Sequence, residues 1–315
     1  MAGRGKKQMI LGNFLVCMLC TVFVLRSGAD SHEEYPVTRV SVILPHKDDG
    51  YWNLVAEGIT EKQEEIGAAY NIDISMIMPQ LNYNVDQMVD ILKQQIAAQV
   101  DVLVVQGTEH PGFRDALLEA YEQGIKIICV DTDFNDFPEH LYIGTDNYAA
   151  GRMLGEELVK LTGGKARLAI ISGEQGYSNL EQRLQGLMDV IRDYPEIEPG
   201  EVRYDRYDGL TVMRLYQELR GEADVTVYLE GTGGITLVSM FQQSDDTYDY
   251  ILGFDAYEGV KSGVLNGIVK QDTQQMGHLV VEEIANYIED GEYSSDNIYT
   301  GIHWVTAENY DEVIK

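Results

Sequence analysis

From Thr38 onward the chain alternates short apolar runs with amphipathic segments, and no other feature limits its possible folds as strongly. TRVSVILP (38–45), DISMIM, DVLVVQG, IKIICVD and LYIGTD have the length and β-branched content of strands. Between them stand NLVAEGITEKQEEIGAAY (53–70), NVDQMVDILKQQIAA and GFRDALLEAYEQG, whose apolar residues recur at helical spacing. After NYAAGRMLGEELVKLTG the pattern starts again, with strands ARLAIISG, VRYDRYD, DVTVYLEG and YDYILGFD. Their helices are NLEQRLQGLMDVIRDY, LTVMRLYQELR and GITLVSMFQQS. Apolar strands separated by crossover helices predict parallel sheets with helices on both faces.

A chain of 315 residues has room for two such units, each with its own core. The expected fold is α/β: two doubly wound, Rossmann-like lobes with parallel sheets, joined by a multi-strand hinge. No flexible linker separates the halves, so the chain is expected to cross between them about three times. Residues 36–145 with 255–275 are assigned to an N-terminal lobe, and 146–254 with 276–315 to a C-terminal lobe. A helix in AYEGVKSGVLNG, a second in QQMGHLVVEEIANYIEDG and one final strand in NIYTGIHWV complete the reading.

The first thirty residues differ in kind. Arg4, Lys6 and Lys7 precede an uncharged stretch of 17 residues, Met9 to Leu25, in the order of a secretory n-region and h-region. Ser27 to Ala29 offer a small-residue cleavage site, whereas Arg26 would equally end a membrane anchor. Residues 1–30 are therefore read as a signal peptide or N-terminal anchor. The remainder is expected outside the cytoplasm, whether secreted, periplasmic or held at the cell surface. Cys17 and Cys20 follow Val16 and Leu19 rather than the small residue a lipid-attachment site needs, and read as apolar members of the run. With the leader removed, Cys129 has no intramolecular disulfide partner.

With 23 Lys and Arg against 52 Asp and Glu, the net charge of -29 opposes binding to nucleic acid or anionic lipid. Chemistry is expected where open parallel sheets bind ligands, at the carboxyl ends of strands. Asp48, Asp49, Tyr51 and Trp52 follow the first strand, Asp131 and Asp133 follow IKIICV, Glu230 follows VTVYL and Asp255 follows YILGF. Carboxylates accept hydrogen bonds from sugar hydroxyls and a flat ring covers the apolar face of a sugar, so this set predicts a polyol site. Tyr51 and Trp52 are read as the stacking platform, against the alternative that one of them packs on the core. Asp133 either orients the site or caps its turn.

These residues resemble the type I periplasmic sugar-binding proteins, a family that includes the ribose- and galactose-binding proteins. Five motifs occur in the family's order: ILPHKDDGYWNLVAEG, VDTD, IGTDNYAAGRMLGEEL, EQRLQGL and ILGFDAYEG. The resemblance covers most of residues 38 to 291. It implies ligand contacts from Asp49, Tyr51, Trp52, Asp131, Arg183, Asp255 and Gln271, with Arg183 as the single cation. An exposed ion pair of Arg183 with Glu181 or Asp189 is the alternative. Where ribose-binding relatives carry an asparagine and aspartate this chain has EGTGG, so backbone N–H groups or Glu230 would replace the amide. Only Ile268, Val269 and Lys270 separate the glycine turn from Gln271, which implies either a shortened strand there or a Gln271 that is not the counterpart of the family's glutamine.

The resemblance further implies a monomer without cofactor that closes on a sugar or polyol and delivers it to an ABC transporter permease. A sensor histidine kinase or chemoreceptor is the alternative partner. A carbohydrate-acting enzyme using the acidic cluster is the rival class, although paired carboxylates without known separation do not define a glycosidase. Repressors share the sensing fold but carry a basic helix-turn-helix where this chain has an export segment. No zinc-binding spacing follows the leader, and GTGGI (231–235) lacks the Lys-Ser/Thr of a phosphate loop.

Overall fold

Val, Ile and Leu supply both faces of the central strands, and that composition buries each sheet between helices. The computed structural model describes residues 35–46, 50–134, 136–241 and 250–314. β1 (Thr38–Ile43), β2 (Ile72–Ile77), β3 (Val102–Val105), β4 (Lys126–Val130) and β5 (Leu141–Thr145) build the first sheet together with β11 (Asn297–Thr300), in the order β11-β5-β4-β3-β1-β2. All its pairings are parallel, with Val40 of β1 opposite Val102 of β3. The second sheet repeats the order with β6 (Lys165–Ser172), β7 (Glu196–Tyr204), β8 (Val225–Tyr228), β9 (Tyr250–Phe254), β10 (Gly267–Gln271) and β12 (Ile302–Val305), as β12-β10-β9-β8-β6-β7. Only β12, antiparallel to β10, breaks the parallel pattern among the described residues.

Side chains two apart point to the same face of a strand, and β3 shows it. Val102 and Val104 join the core beneath α1 (Gly50–Lys62) and α9 (Thr273–Asp290). Leu103 and Val105 join the core beneath α2 (Val85–Ala97) and α3 (Pro111–Glu122). The second sheet is covered by α4 (Asn147–Thr162) and α5 (Ser178–Ile191) on one face. Its other face carries α6 (Gly209–Leu219), α7 (Gly231–Phe241), the short α8 (Tyr257–Lys261) and α10 (Tyr310–Val313).

Each lobe holds one helix pair together through facing glycines. A Cβ on Gly58 of α1 would lie 2.1 Å from the Gln274 carbonyl oxygen, and one on Gly277 of α9 2.2 Å from that of Val55. In the second lobe, Gly151 of α4 would meet the Arg183 carbonyl oxygen at 2.0 Å and Gly186 of α5 that of Tyr148 at 2.2 Å. Backbone thus touches backbone where α5 presents Arg183.

Three connections between the sheets occur among the described residues: Thr145 to Asn147, Gln271 to Thr273 and Thr300 to Ile302. Two differ from the sequence reading. β10 pairs with β9, so residues 267–271 belong to the second sheet, while α9 packs on α1 and β11 pairs with β5 in the first. The assignment of 255–271 to the N-terminal lobe and of 276–300 to the C-terminal lobe is corrected accordingly, while 302–314 stay with the second sheet as assigned. A parallel strand reached through a short crossover helix stays in its own sheet, and the chain changes sheet only after Gln271. NIYTGIHWV is two strands divided at Gly301, one in each sheet. The expected leader, 1–30, lies outside the described residues; among these no helix is long and apolar enough to cross a membrane.

Candidate functional site

Each sheet offers an aspartate in left-handed backbone at the end of its equivalent strand. Asp131 follows β4 with φ 69° and Asp255 follows β9 with φ 48°. Such a conformation costs a non-glycine residue on the order of 1 kcal/mol or more and persists only where the surroundings hold it. The two are held alike: the Asp131 amide donates to the Ile143 carbonyl at 3.0 Å, and the Asp255 amide to that of Val269 at 3.1 Å. Both side chains line one cavity of about 570 Å³ between the lobes.

Asp131 is satisfied from the first lobe. It accepts from the Tyr51 hydroxyl, from Gln106 Nε2 at 3.0 Å and from Thr132 Oγ1 at 2.7 Å. Burial, and then the Asp131 charge, push the Tyr51 phenol well above its usual range, so Tyr51 remains a donor. Asp255 accepts from the Gln271 amide nitrogen at 2.9 Å, from the Gln271 side chain and from the Tyr257 hydroxyl at 3.2 Å. Burial raises the Asp255 carboxyl, while the Gln271 bonds and the charge of Arg183 oppose that rise.

Arg183 is only 3% exposed. Its Nε donates to Asn147 Oδ1 at 2.8 Å and its terminal nitrogens to the Leu229 carbonyl and Gln271 Oε1, both at 2.9 Å. The guanidinium carbon lies 4.1 Å from the centre of the Phe254 ring. A guanidinium carries five N–H donors, more than these bonds use. The ion pair with Glu181 or Asp189 does not form; Asp189 accepts from Tyr148 and Arg192 instead. Gln271 sits at the second crossing, and its Oε1 also accepts from Thr145 Oγ1 at 2.7 Å. The shortened strand before it is a full five-residue β10 that includes Gly267 and Gln271 themselves.

Glu230 lines the cavity, yet its carboxylate caps α7, accepting from the amides of Thr232 at 2.5 Å and Gly233 at 2.9 Å. The N–H groups of EGTGG expected to face a ligand therefore serve Glu230. Behind it lies Asp205, whose carboxyl is pushed up to about 8 by burial and by the neighbouring Glu230.

Trp52 corrects one expectation. Its ring borders the cavity but is 2% exposed, embedded with Val55 and Ile59 in the first-lobe core, so it offers no open stacking face. Its indole nitrogen donates to the Tyr83 hydroxyl at 3.0 Å, and its ring and that of Tyr51 meet edge to face with centres 5.3 Å apart. Asp133 is not among the residues lining the cavity: its carboxylate accepts from the Phe134 amide at 2.7 Å and contacts His140 Nε2 at 2.6 Å. Its main-chain oxygen accepts from Ser178 Oγ of the second lobe at 2.8 Å. Asp49, with Asp48, lies outside the described residues.

Sequence reasoning missed Tyr83, Gln106, Tyr177, Tyr207 and Tyr257, all of which line the cavity. Gln106 follows β3 directly, where the strand-end rule would have found it. Tyr83 and Tyr207 follow β2 and β7, and their rings stack across the cleft at 5.8 Å.

Comparison with known proteins places this geometry. The periplasmic binding protein domain family matches residues 40–292. Among curated relatives, a D-apiose import binding protein of Actinobacillus succinogenes is 19% identical over 234 residues, 72% of this chain and 73% of its own length. A D-ribose/D-allose-binding protein of Pseudomonas aeruginosa is 23% identical over 186 residues, and the chain spans only 56% of its length. Among solved structures, GanP, a glucose-galactose binding protein from Geobacillus stearothermophilus, superposes with a TM-score of 0.78 at 24% identity, covering 87% of this chain and 99% of its own. A solute-binding protein of an ABC transporter from Burkholderia graminis, solved with D-arabinose, gives 0.78 at 24% identity over 88% of this chain and 98% of its own. A XylFII–LytSN complex matches at 0.74 with 19% identity, over 87% of this chain and 99% of that one. At such identities the structural likenesses show the fold. The family match spans most of the sequence, and the chain belongs to the periplasmic binding protein domain family.

Proposed function

We propose that the chain is an extracytoplasmic solute-binding protein that captures a small sugar or polyol between its lobes and delivers it to an ABC transporter permease. The observation that carries this reading is the cavity shared by both lobes, with Asp131 on one side and Arg183, Asp255 and Gln271 on the other. Four acidic residues, Asp131, Glu230, Asp255 and Glu258, line it with one guanidinium, a balance that disfavours sugar phosphates and sugar acids and suits a neutral polyol. The sugar names of the relatives agree. Closure is population shift: a ligand touching both lobes is bound best when they are together, and so stabilises that state.

A second reading, in which the closed form is read by a sensor instead of a permease, is kept beside it because a neighbour of this fold, XylFII, is solved in complex with another protein, LytSN. Both share the capture step.

Asp49, Tyr51, Asp131, Arg183, Asp255 and Gln271 are the proposed ligand contacts, with Glu230 shaping the wall and Trp52 and Asp133 acting behind the surface. Thermal shift across a panel of monosaccharides and polyols tests the capture step, because a ligand that binds only the native state raises the melting temperature. A raised Tm for at least one sugar, lost in Asp255→Ala, is the expected result; no shift for any sugar overturns the reading. Sustained hydrolysis of a glycoside abolished by Asp131→Asn would replace binding with catalysis.

A further inference from the structure

We propose that Cys129, Asp133 and His140 form a binding site for a thiophilic divalent cation of the zinc class, beside the sugar cleft and independent of it. The Cys129 sulfur, an Asp133 carboxylate oxygen and a His140 ring nitrogen all lie within 4.8 Å of one another. Cys129 is fully buried, whereas the side chains of His140 and Asp133 are 12% and 27% exposed. One side of the cluster is thus open to water. Sulfur, imidazole nitrogen and carboxylate oxygen, with water in a fourth position, is a donor set suited to zinc.

The orientation of His140 argues for a cation. Its Nδ1 lies 2.6 Å from the Pro138 carbonyl oxygen, which only accepts, so Nδ1 carries the proton. In the neutral ring Nε2 then presents a lone pair to Asp133 Oδ1 at 2.6 Å, and two acceptors at that distance need a proton or a cation between them. A proton fills that gap; a metal ion fills it too, and also uses the sulfur, which a proton does not. A backbone carbonyl on the far nitrogen is the arrangement that commonly fixes the ring of a metal-binding histidine. The sequence hides this set, since its residues stand four and seven positions apart and meet only where the loop after β4 folds back before β5.

Zinc bonds of about 2.0 to 2.3 Å in a tetrahedron hold donors roughly 3.3 to 3.8 Å apart, so the His140 nitrogen and Asp133 oxygen, now 2.6 Å apart, need to open around the ion while the widest pair, at most 4.8 Å, draws in by about an ångström. Binding converts the Cys129 thiol to a metal thiolate and releases its proton to solvent; no redox step is involved. The bound ion would fix the loop that carries Asp131 and whose Asp133 carbonyl receives Ser178 from the other lobe.

Titrating chelator-treated full-length protein with Co²⁺ tests the assignment, because a cobalt–thiolate bond gives a charge-transfer band in the near ultraviolet. The expected result is one equivalent bound with that band, displaced by Zn²⁺. The band should persist when Cys17 and Cys20 are both serine and vanish in Cys129→Ser, while His140→Gln weakens affinity about tenfold or more. No band in the wild-type protein, or a band that depends on Cys17 and Cys20 rather than Cys129, overturns the proposal. The wild-type titration decides even where a variant fails to fold.

Discussion

Tyr83 and Tyr207 lie face to face across the cleft, their ring centres 5.8 Å apart and their planes within 10° of parallel. One follows β2 of the first lobe and the other β7 of the second. Both occupy left-handed backbone, at φ 54° and 56°. Tyr83 is tied back by the Trp52 indole, and Tyr207 by a bond from its amide to Asp205 Oδ1 at 2.9 Å. Each lobe therefore holds one ring in a strained position where it meets the other only when the cleft is shut.

Aromatic pairs contribute about 0.5 to 1.5 kcal/mol beyond their burial. Tyr207→Ala should therefore weaken the affinity for any sugar found in the thermal-shift panel by roughly two- to tenfold. Small-angle scattering of the ligand-free variant should show a larger mean radius of gyration than wild type. Equal radii and equal affinity would mean that the stack plays no part in closure.

Asp131 and Asp255 were legible because each follows an apolar strand, and parallel sheets put their ligand edge there. Trp52 misled for a geometric reason: neighbours on a helix point about 100° apart, and here Tyr51 reaches Asp131 in the cleft while Trp52 turns into the core and only borders the cavity. Nothing in YW says which one does. Tyr83 and Tyr207 stayed hidden because their meeting depends on left-handed backbone in NYN and DRYD and on the closeness of two lobes, neither written in local pattern. Arg183 came through the EQRLQGL motif; helical spacing alone leaves it an ordinary surface cation. The division of NIYTGIHWV at Gly301 was missed because four residues on either side make one plausible long strand.

The facing glycines give a stability prediction that separates crowding from helix propensity. A Cβ at Gly151 would stand 2.0 Å from a backbone oxygen that cannot move without displacing α5, which carries Arg183. Gly151→Ala should cost about 1 to 3 kcal/mol or more. Gly50→Ala, with nothing within 4 Å of the new methyl, should stay within about 0.5 kcal/mol of wild type. Urea melts of the two variants compare them directly, and equal midpoints would show that α4 and α5 yield easily.

Arg183→Lys tests whether the guanidinium fork matters beyond its charge. Lysine keeps the charge but cannot donate together to Asn147, Leu229 and Gln271, and each buried acceptor left unpaired costs about 1 to 3 kcal/mol. The expected loss is roughly 2 to 4 kcal/mol of stability together with the sugar-induced shift in Tm. A variant with native Tm and native sugar shift would reduce Arg183 to a point charge.

Asp205 gives the pH dependence a sign. Its carboxyl, sealed from solvent beside Glu230, is raised from 3.8 to about 8 in the folded protein. Between those values the folded state holds a proton that the unfolded chain has released, so stability falls as pH rises across the window and levels off above it. The contribution is fully present below the unfolded pKa. Glu230 and Asp208 are the charges nearest to this group, and the buried phenols of Tyr207 and Tyr228 surround it. Asparagine has the shape of the protonated acid and does not titrate, so Asp205→Asn should flatten the decline in Tm between about pH 5 and 8 relative to wild type. Because Asp205 Oδ1 anchors the Tyr207 amide, the variant should also keep its ring stacked on Tyr83 at pH 8. Parallel Tm curves for the two proteins across that range would show that Asp205 is already ionised in the native state and that the decline belongs to the net charge of -29.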